Sequence, residues 1–162
     1  FGKADADKMN YKPVRIYTSA FLNEVVDMVK AGIDNNVKIN VEFEKLPKMI
    51  TSDMDLLYQI LENLLSNAVK YSKDGGSVYF KVKHENDTLF MNIKDEGIGI
   101  NIAEQSQLFD RFFRAKNVGL REGSGLGLSI VKKCIEVIGG EINYKSKVNK
   151  GTEFFLEIPA KK

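Results

Sequence analysis

Between Ser52 and Ile93 the spacing of apolar residues switches from one period to another, and that switch constrains the fold more than any other feature. Leu57, Ile60, Leu61, Leu64, Leu65 and Ala68 recur at intervals of three and four, the mark of a helix with one buried stripe. Beyond Lys73-Asp74-Gly75-Gly76 the pattern becomes alternation, in Val78, Phe80 and Val82 and then in Leu89, Met91 and Ile93. That is the period of strands that bury one face. Glu85-Asn86-Asp87 between the two runs reads as a hairpin turn. A one-sided helix next to a one-sided hairpin can hide both apolar faces only by stacking them.

The same two periods organise the rest of the chain. A helix is expected from Thr18 to about Ala31, with Phe21, Leu22, Val25, Val26 and Val29 on one face and Gly32 as its stop. Val37 to Phe43 alternates as a strand, and Ser52 or Asp53 can cap the second helix. A short helix is expected around Ala103 to Phe112 and a longer one from about Leu126 to Ile138, stopped by Gly139-Gly140. Two strands, Glu141 to Ser146 and Thr152 to Ile158, close the chain around a turn at Asn149-Lys150-Gly151. The expected fold is α/β, a two-layer sandwich of a mixed, mostly antiparallel sheet with helices packed on one face.

At 162 residues the chain fits one domain. Residues 1–12 lack periodicity and read as a linker, leaving 13–162 as the domain. The formal net charge of +2 is too small for a broad nucleic-acid or membrane footprint. Cys134 and His84 are each the sole residue of their kind, which excludes an internal disulfide and a four-ligand zinc site. No apolar run approaches the ~20 residues needed to span a bilayer, so a cytoplasmic location without direct membrane insertion is expected, with room for an anchor in a longer parent.

Four short segments carry candidate chemistry. On the second helix, ~100° per residue places Asn63, Asn67 and Lys70 on one stripe along the rim of the apolar face. An amide oxygen there is a hard, neutral ligand suited to Mg²⁺, and the ammonium balances phosphate charge. A solvated helix face would show the same residues. Asp95 ends an alternating strand and is followed by Gly97 and Gly99. An ionised carboxylate accepts without donating, which suits the amino group of adenine, although Asp-x-Gly is also ordinary turn chemistry. Gly123-Ser124-Gly125-Leu126-Gly127-Leu128 opens a helix and offers free N–H groups to phosphate. No P-loop sequence and no H-R-D set occurs. Leu108-Phe109-Asp110-Arg111-Phe112-Phe113-Arg114 reads either as core helix or as the aromatic hinge of a lid over residues 115–125.

In this order, the four segments resemble the N box, first glycine box, F box and second glycine box of histidine-kinase catalytic domains. These belong to the wider superfamily of gyrase, chaperone, histidine kinase and mismatch-repair ATPases. The closest matching stretches are Asn63 to Tyr71, Asp95 to Ile100, Gly123 to Val131 and Gly151 to Phe154, and the likeness covers roughly Pro13 to Pro159. The resemblance implies a Bergerat-type ATP-binding fold with ATP and Mg²⁺ as cofactors. It implies Asn67 on Mg²⁺, Asp95 on adenine with Thr152 beside it, and phosphate contacts from Lys70, Tyr71 and Arg114. Gly123, Gly125 and Gly127 would close over the nucleotide, and Asn63, Gly97, Gly99, Ile100, Ser124, Leu126 and Leu128 complete the implied ATP-binding set.

In relatives that hydrolyse ATP, a Glu that can activate water stands four residues before the Mg²⁺ Asn. Here that position is Asn63, which cannot act as a base. Phosphotransfer to a protein is therefore expected, with two implied partners: a dimerisation domain carrying the acceptor histidine, and a response-regulator receiver domain. The chain's own His84-Glu85 lies beside a predicted hairpin and reads as a surface strand histidine, not as an acceptor. Residues 1–12 can then be the tail of a preceding dimerisation helix. Two other readings share the Asn and glycine boxes: an anti-sigma-factor-type serine kinase and a non-catalytic ATP-binding docking module.

Overall fold

A computed structural model describes residues 9–33, 35–110 and 127–162. Strand β1 (Val14–Tyr17) leads into helix α1 (Thr18–Ala31), followed by β2 (Lys38–Glu44) and β3 (Met49–Ser52). Helix α2 (Met54–Tyr71), the hairpin β4 (Ser77–Glu85) and β5 (Thr88–Asp95), and a 3₁₀ turn (Ile102–Gln107) come next. Helix α3 (Gly127–Ile138) and a second hairpin, β6 (Glu141–Lys147) and β7 (Gly151–Pro159), complete the chain.

The main sheet has the order β2-β4-β5-β7-β6. Only β2 runs parallel to its neighbour β4, and the other three pairings are antiparallel. The expected architecture is the one found: a mixed, mostly antiparallel sheet with its helices on one face. The β4–β5 turn is the two residues Asn86 and Asp87, both at positive φ (51° and 56°), the twist that suits a tight hairpin.

The core lies between that sheet and the helices. Helix α2 buries Leu56, Leu57, Ile60, Leu61, Leu64, Leu65, Ala68 and Val69, pairs repeated every four residues. Against them lie Phe21, Leu22, Val25 and Val26 from α1, Val131, Cys134 and Ile135 from α3, and Val78, Phe80, Val82, Leu89, Met91 and Ile93 from the hairpin. At about 1.5–3 kcal/mol for each large apolar side chain removed from water, this stripe fixes the roll of α2 about its axis.

Asp53, and not Ser52, caps α2. Its Oδ1 accepts the Leu56 N–H at 3.0 Å, while Oδ2 accepts the Lys12 N–H at 2.7 Å. The same carboxylate thus ties the lead-in to the helix start, and Met9 Sδ lies 3.8 Å from the buried Cys134 thiol on α3. Burial, with the Asp53 charge as a lesser cause, pushes that thiol up to about 11. Helix α3 ends in a Schellman motif: Gly140 N–H donates to Ile135 O, Gly139 N–H donates to Glu136 O, and Gly139 sits at φ 79°.

Four features depart from the sequence expectations. Strands β1 and β3 form a separate antiparallel ribbon, which short alternating runs of four residues had not singled out. Val41 is 41% exposed despite its place in an alternating run, because β2 is an edge strand. Within Ala103–Phe112 the described part is a 3₁₀ turn, capped by Asn101 Oδ1 on Ala103 N–H at 2.9 Å. His84 is buried, not on the surface, and its Nε2 donates to Ala160 O at 2.7 Å. It shares the inward parity of Val78, Phe80 and Val82, and the C-terminal tail covers it.

Asp53→Ala should destabilise the protein by about 1–3 kcal/mol, because two backbone N–H groups lose their acceptor. Denaturant unfolding checks this, with Asp53→Asn recovering part of the loss.

Candidate functional site

Because α2's apolar stripe faces the core, its polar rim is turned toward the start of α3. Asn63, Asn67, Lys70 and Tyr71 are all half-buried. A Cβ on Gly127 would fall 2.9 Å from Asn63 Oδ1 and 3.7 Å from Asn67 Nδ2. The bare Cα at this position is therefore what lets the first turn of α3 rest on the two amides. Asn63 donates its Nδ2 to Gln59 O at 2.7 Å, which locks its amide along the helix. The Asn67 amide has no hydrogen-bond partner among the described residues. Lys70 Nζ lies 5.6 Å from the centre of the Tyr71 ring.

The second part of the site lies where β5 ends. Asp95 is 8% exposed, and its Oδ1 accepts two backbone N–H groups, from Gly97 at 2.9 Å and Thr152 at 3.2 Å. Oδ2 keeps no partner among the described residues. Burial raises the carboxyl from 3.8 to about 6, against the opposing pull of the Gly97 and Thr152 hydrogen bonds. The rise means that desolvation outweighs both bonds.

Glycine is needed around Asp95 because three backbones meet there. A Cβ on Gly97 would strike Tyr71 O, at the end of α2, and one on Gly151 (φ 115°) would strike Asp95 O. Ile98 N–H donates to Tyr71 O at 3.3 Å, and Asn149 N–H donates to Ile98 O at 2.8 Å. Gly99 sits at φ 66° against Lys147 O. The glycine loop is thus clamped between α2 and the β6–β7 turn. Ile100 N–H donates to Ser146 Oγ at 2.8 Å, and Ser146 Oγ lies 2.8 Å from Thr152 Oγ1.

A cavity of ≈ 190 Å³ opens beside Asp95, Ser146, Gly151 and Thr152. A larger groove of ≈ 680 Å³ crosses the sheet face opposite the helices, past Lys81, Phe90 and Phe155. That groove is lined by none of the residues of the implied ATP-binding set.

The structure thus gathers two groups, Asn63, Asn67, Gly127 and Leu128 at the α2–α3 junction and Asp95, Gly97, Gly99, Ile100 and Thr152 at the sheet end. Tyr71, through its carbonyl, joins them. Arg114, Gly123, Ser124, Gly125, Leu126 and the lid over 115–125 lie outside the described residues. Ser146 was not singled out, since a lone Ser in a strand carries no spacing signal.

Residues 52–162 match the family of histidine kinase-, DNA gyrase B- and HSP90-like ATPases. The chain belongs to this family, as the ATP-binding catalytic domain of a sensor histidine kinase. It is 32% identical over 163 residues to sensor histidine kinase WalK of Bacillus subtilis, covering 98% of this chain and 27% of that protein. It is 34% identical over 160 residues to the circadian input-output histidine kinase CikA of Synechococcus elongatus, covering 98% and 21%. The chain therefore spans about a quarter of the length of these relatives. Among solved structures, the mycobacterial sensor histidine kinase MprB superposes with a TM-score of 0.78 at 25% identity, covering 93% of this chain and 99% of that one. Full-length ShkA in complex with AMPPNP superposes at 0.79, with 24% identity over 94% of this chain and 32% of that one, a likeness of fold.

The raised Asp95 gives a signed pH effect. The folded protein holds this proton more tightly than the unfolded chain, so the stability cost of ionising Asp95 grows as pH rises from about 4 through 6. Asp95→Asn removes that cost. Its stability relative to the parent should rise by on the order of 2 kcal/mol between pH 4 and 7, as read from denaturant melts without nucleotide.

Proposed function

We propose that this domain binds Mg²⁺-ATP between α2 and α3 and donates the γ-phosphoryl group to a histidine on a separate dimerisation domain. A response-regulator receiver domain would be the next acceptor. The observation that carries the reading is Asn63, an amide tied to Gln59 O, standing against Gly127 where a water-activating carboxylate would be needed for hydrolysis. A neutral amide takes no proton from water. The relatives named as histidine kinases support the same choice.

In this reading Asp95 Oδ2, which has no partner among the described residues, accepts a hydrogen bond from the amino group of adenine, and Thr152 stands beside it. Gly97, Gly99 and Ile100 form the wall of the base pocket. Asn67 fits Mg²⁺ as a single protein oxygen, since its amide is half-buried, without a partner among the described residues, at the mouth of a helix N-terminus. No group of three or more His, Cys, Asp and Glu suited to a metal occurs among the described residues, so phosphate oxygens and waters must fill the shell. The cation would neutralise charge on the transferring phosphoryl group. Lys70, Tyr71 and Arg114 would contact the phosphates, and the run Gly123 to Leu128 would offer its N–H groups and close over them.

His84 is poorly suited to accept the phosphoryl group, because it is buried and engaged by Ala160 O. In-line transfer needs an acceptor nitrogen placed against the γ-phosphate, and positioning supplies most of the catalysis. No helix among the described residues is long and apolar enough to cross a membrane.

Asp95→Ala should weaken ATP roughly 10- to 150-fold by calorimetry, the loss of a hydrogen bond to a charged group. ATP affinity of the parent should fall about tenfold from pH 7 to 5 as Asp95 takes its proton, a slope absent from Asp95→Asn. Asn67→Ala should weaken Mg²⁺-ATP much more than metal-free ATP. With γ-labelled ATP the isolated chain should neither label itself nor release phosphate briskly. An added dimerisation fragment should gain acid-labile label, and Asn67→Ala should abolish that. Label accumulating on the isolated chain would overturn the division of labour.

A further inference from the structure

The main sheet has a second face, on the side away from the helices. Strand register sets its outward residues in rows: Glu44, Lys83, Phe90 and Glu157 lie across β2, β4, β5 and β7, with Glu42, Lys81, Asn92 and Phe155 beside them. The ≈ 680 Å³ groove runs over these rows. Phe90 and Phe155 line it, both half-buried, with Lys83 Nζ 5.4 Å from the first ring centre and Lys145 Nζ 5.6 Å from the second. The side chains of Lys81 and Glu42, 3.6 Å apart, are 60% and 67% exposed. Two large aromatic rings in an open groove mark a surface that gains by being covered.

Charge decides what can cover it. The sign alternates by strand: β4 presents Lys81 and Lys83, β7 presents Glu153 and Glu157, and β5 between them presents Phe90 and Asn92. The outer strands keep the same sense more weakly, β2 with Glu42 and Glu44 against Lys38, and β6 with Lys145 and Lys147 against Glu141. A polyanion such as nucleic acid would meet the Glu columns as well as the Lys columns. The pattern is instead antisymmetric about β5. Turned by a two-fold axis along β5, a second copy lays its β7 carboxylates over the β4 lysines and its β4 lysines over the β7 carboxylates, with Phe90 against Phe90. An axis across the strands would set lysine on lysine. Lys94 meets its own like on the axis, but it lies at the exposed end of β5 beside Glu153, where water and salt screen it.

We propose that this face is a self-association surface whose occupant is a second copy of this chain, the two sheets stacked about a two-fold axis along β5. Aligned sheets pack ~10 Å apart with their strands within ~30° of one another. With strands ~4.8 Å apart and ~3.4 Å per residue, the face offers about 500 Å² per copy, the size of a weak and transient contact. Complementary charge fixes its register more than its strength. The surface lies on the opposite side of the sheet from α2 and α3, so it is independent of the nucleotide reading.

Sedimentation equilibrium of the full chain tests it. The parent should self-associate as its concentration approaches ~1 mM, more weakly as salt rises, and NMR shift changes on dilution should fall on β4, β5 and β7. Lys83→Glu and Glu157→Lys should each weaken association roughly tenfold or more, because each sets like charges opposite one another twice. An equimolar mixture of the two should recover the parent's association, since each altered column then meets its opposite. Melting curves equal to the parent's identify both variants as folded. A parent that stays monomeric at ~1 mM overturns the proposal and leaves the face to another partner. Dilution shifts confined to other surfaces overturn it as well, without any variant that has to fold. So does a mixture that associates no better than its components, which removes the two-fold along β5.

Discussion

The burial of one stripe of α2 is the constraint on which the remaining geometry depends. Eight side chains from Leu56 to Val69 are held against the sheet and the flanking helices, so the helix cannot roll without exposing several of them at ~1.5–3 kcal/mol each. Because the roll is fixed, Asn63 and Asn67 face the start of α3 and not the bulk solvent. The core and the candidate site are thus two faces of a single helix. Packing that looks purely structural also aims the amides.

A second constraint is close backbone approach at the sheet end. Tyr71 O from α2, Gly97 and Gly99 from the loop after β5, and Lys147 and Gly151 from the β6–β7 turn leave no room for side chains where they touch. These contacts pin the loop, and they hold Asp95 with Oδ1 engaged and Oδ2 without a partner among the described residues. Desolvation of that carboxyl is a local cost the fold sustains. Such a cost fits the proposed role of Asp95 toward a ligand.

The departures from sequence expectation share a cause. Periodicity reports which face of an element is apolar, but it does not report what covers that face. His84 has the inward parity of Phe80 and Val82, yet a polar residue close to a hairpin reads as solvated until the C-terminal tail is seen to return and cap it at Ala160. Val41 fails in the opposite sense, being apolar and inward by pattern but placed on an edge strand. The β1–β3 ribbon was hidden because four-residue runs are too short to establish a period, and its pairing joins segments more than thirty residues apart.

The sequence by itself determined the long helices and the strands of the main sheet, the buried face of most of them, the mixed sheet under its helices and the order of the boxes along the chain. These are local properties, written in spacing, in turn residues such as Asn86-Asp87, and in caps such as Asp53. Only the tertiary structure decided that Gly127 rests on Asn63 and Asn67, that Thr152 N–H reaches Asp95 across a separation of 57 residues, and that Ser146 links Ile100 to Thr152. The reason is physical: such contacts depend on how strands register and how a helix rolls, and both are set by the summed packing of the whole core. No spacing between neighbouring residues encodes them.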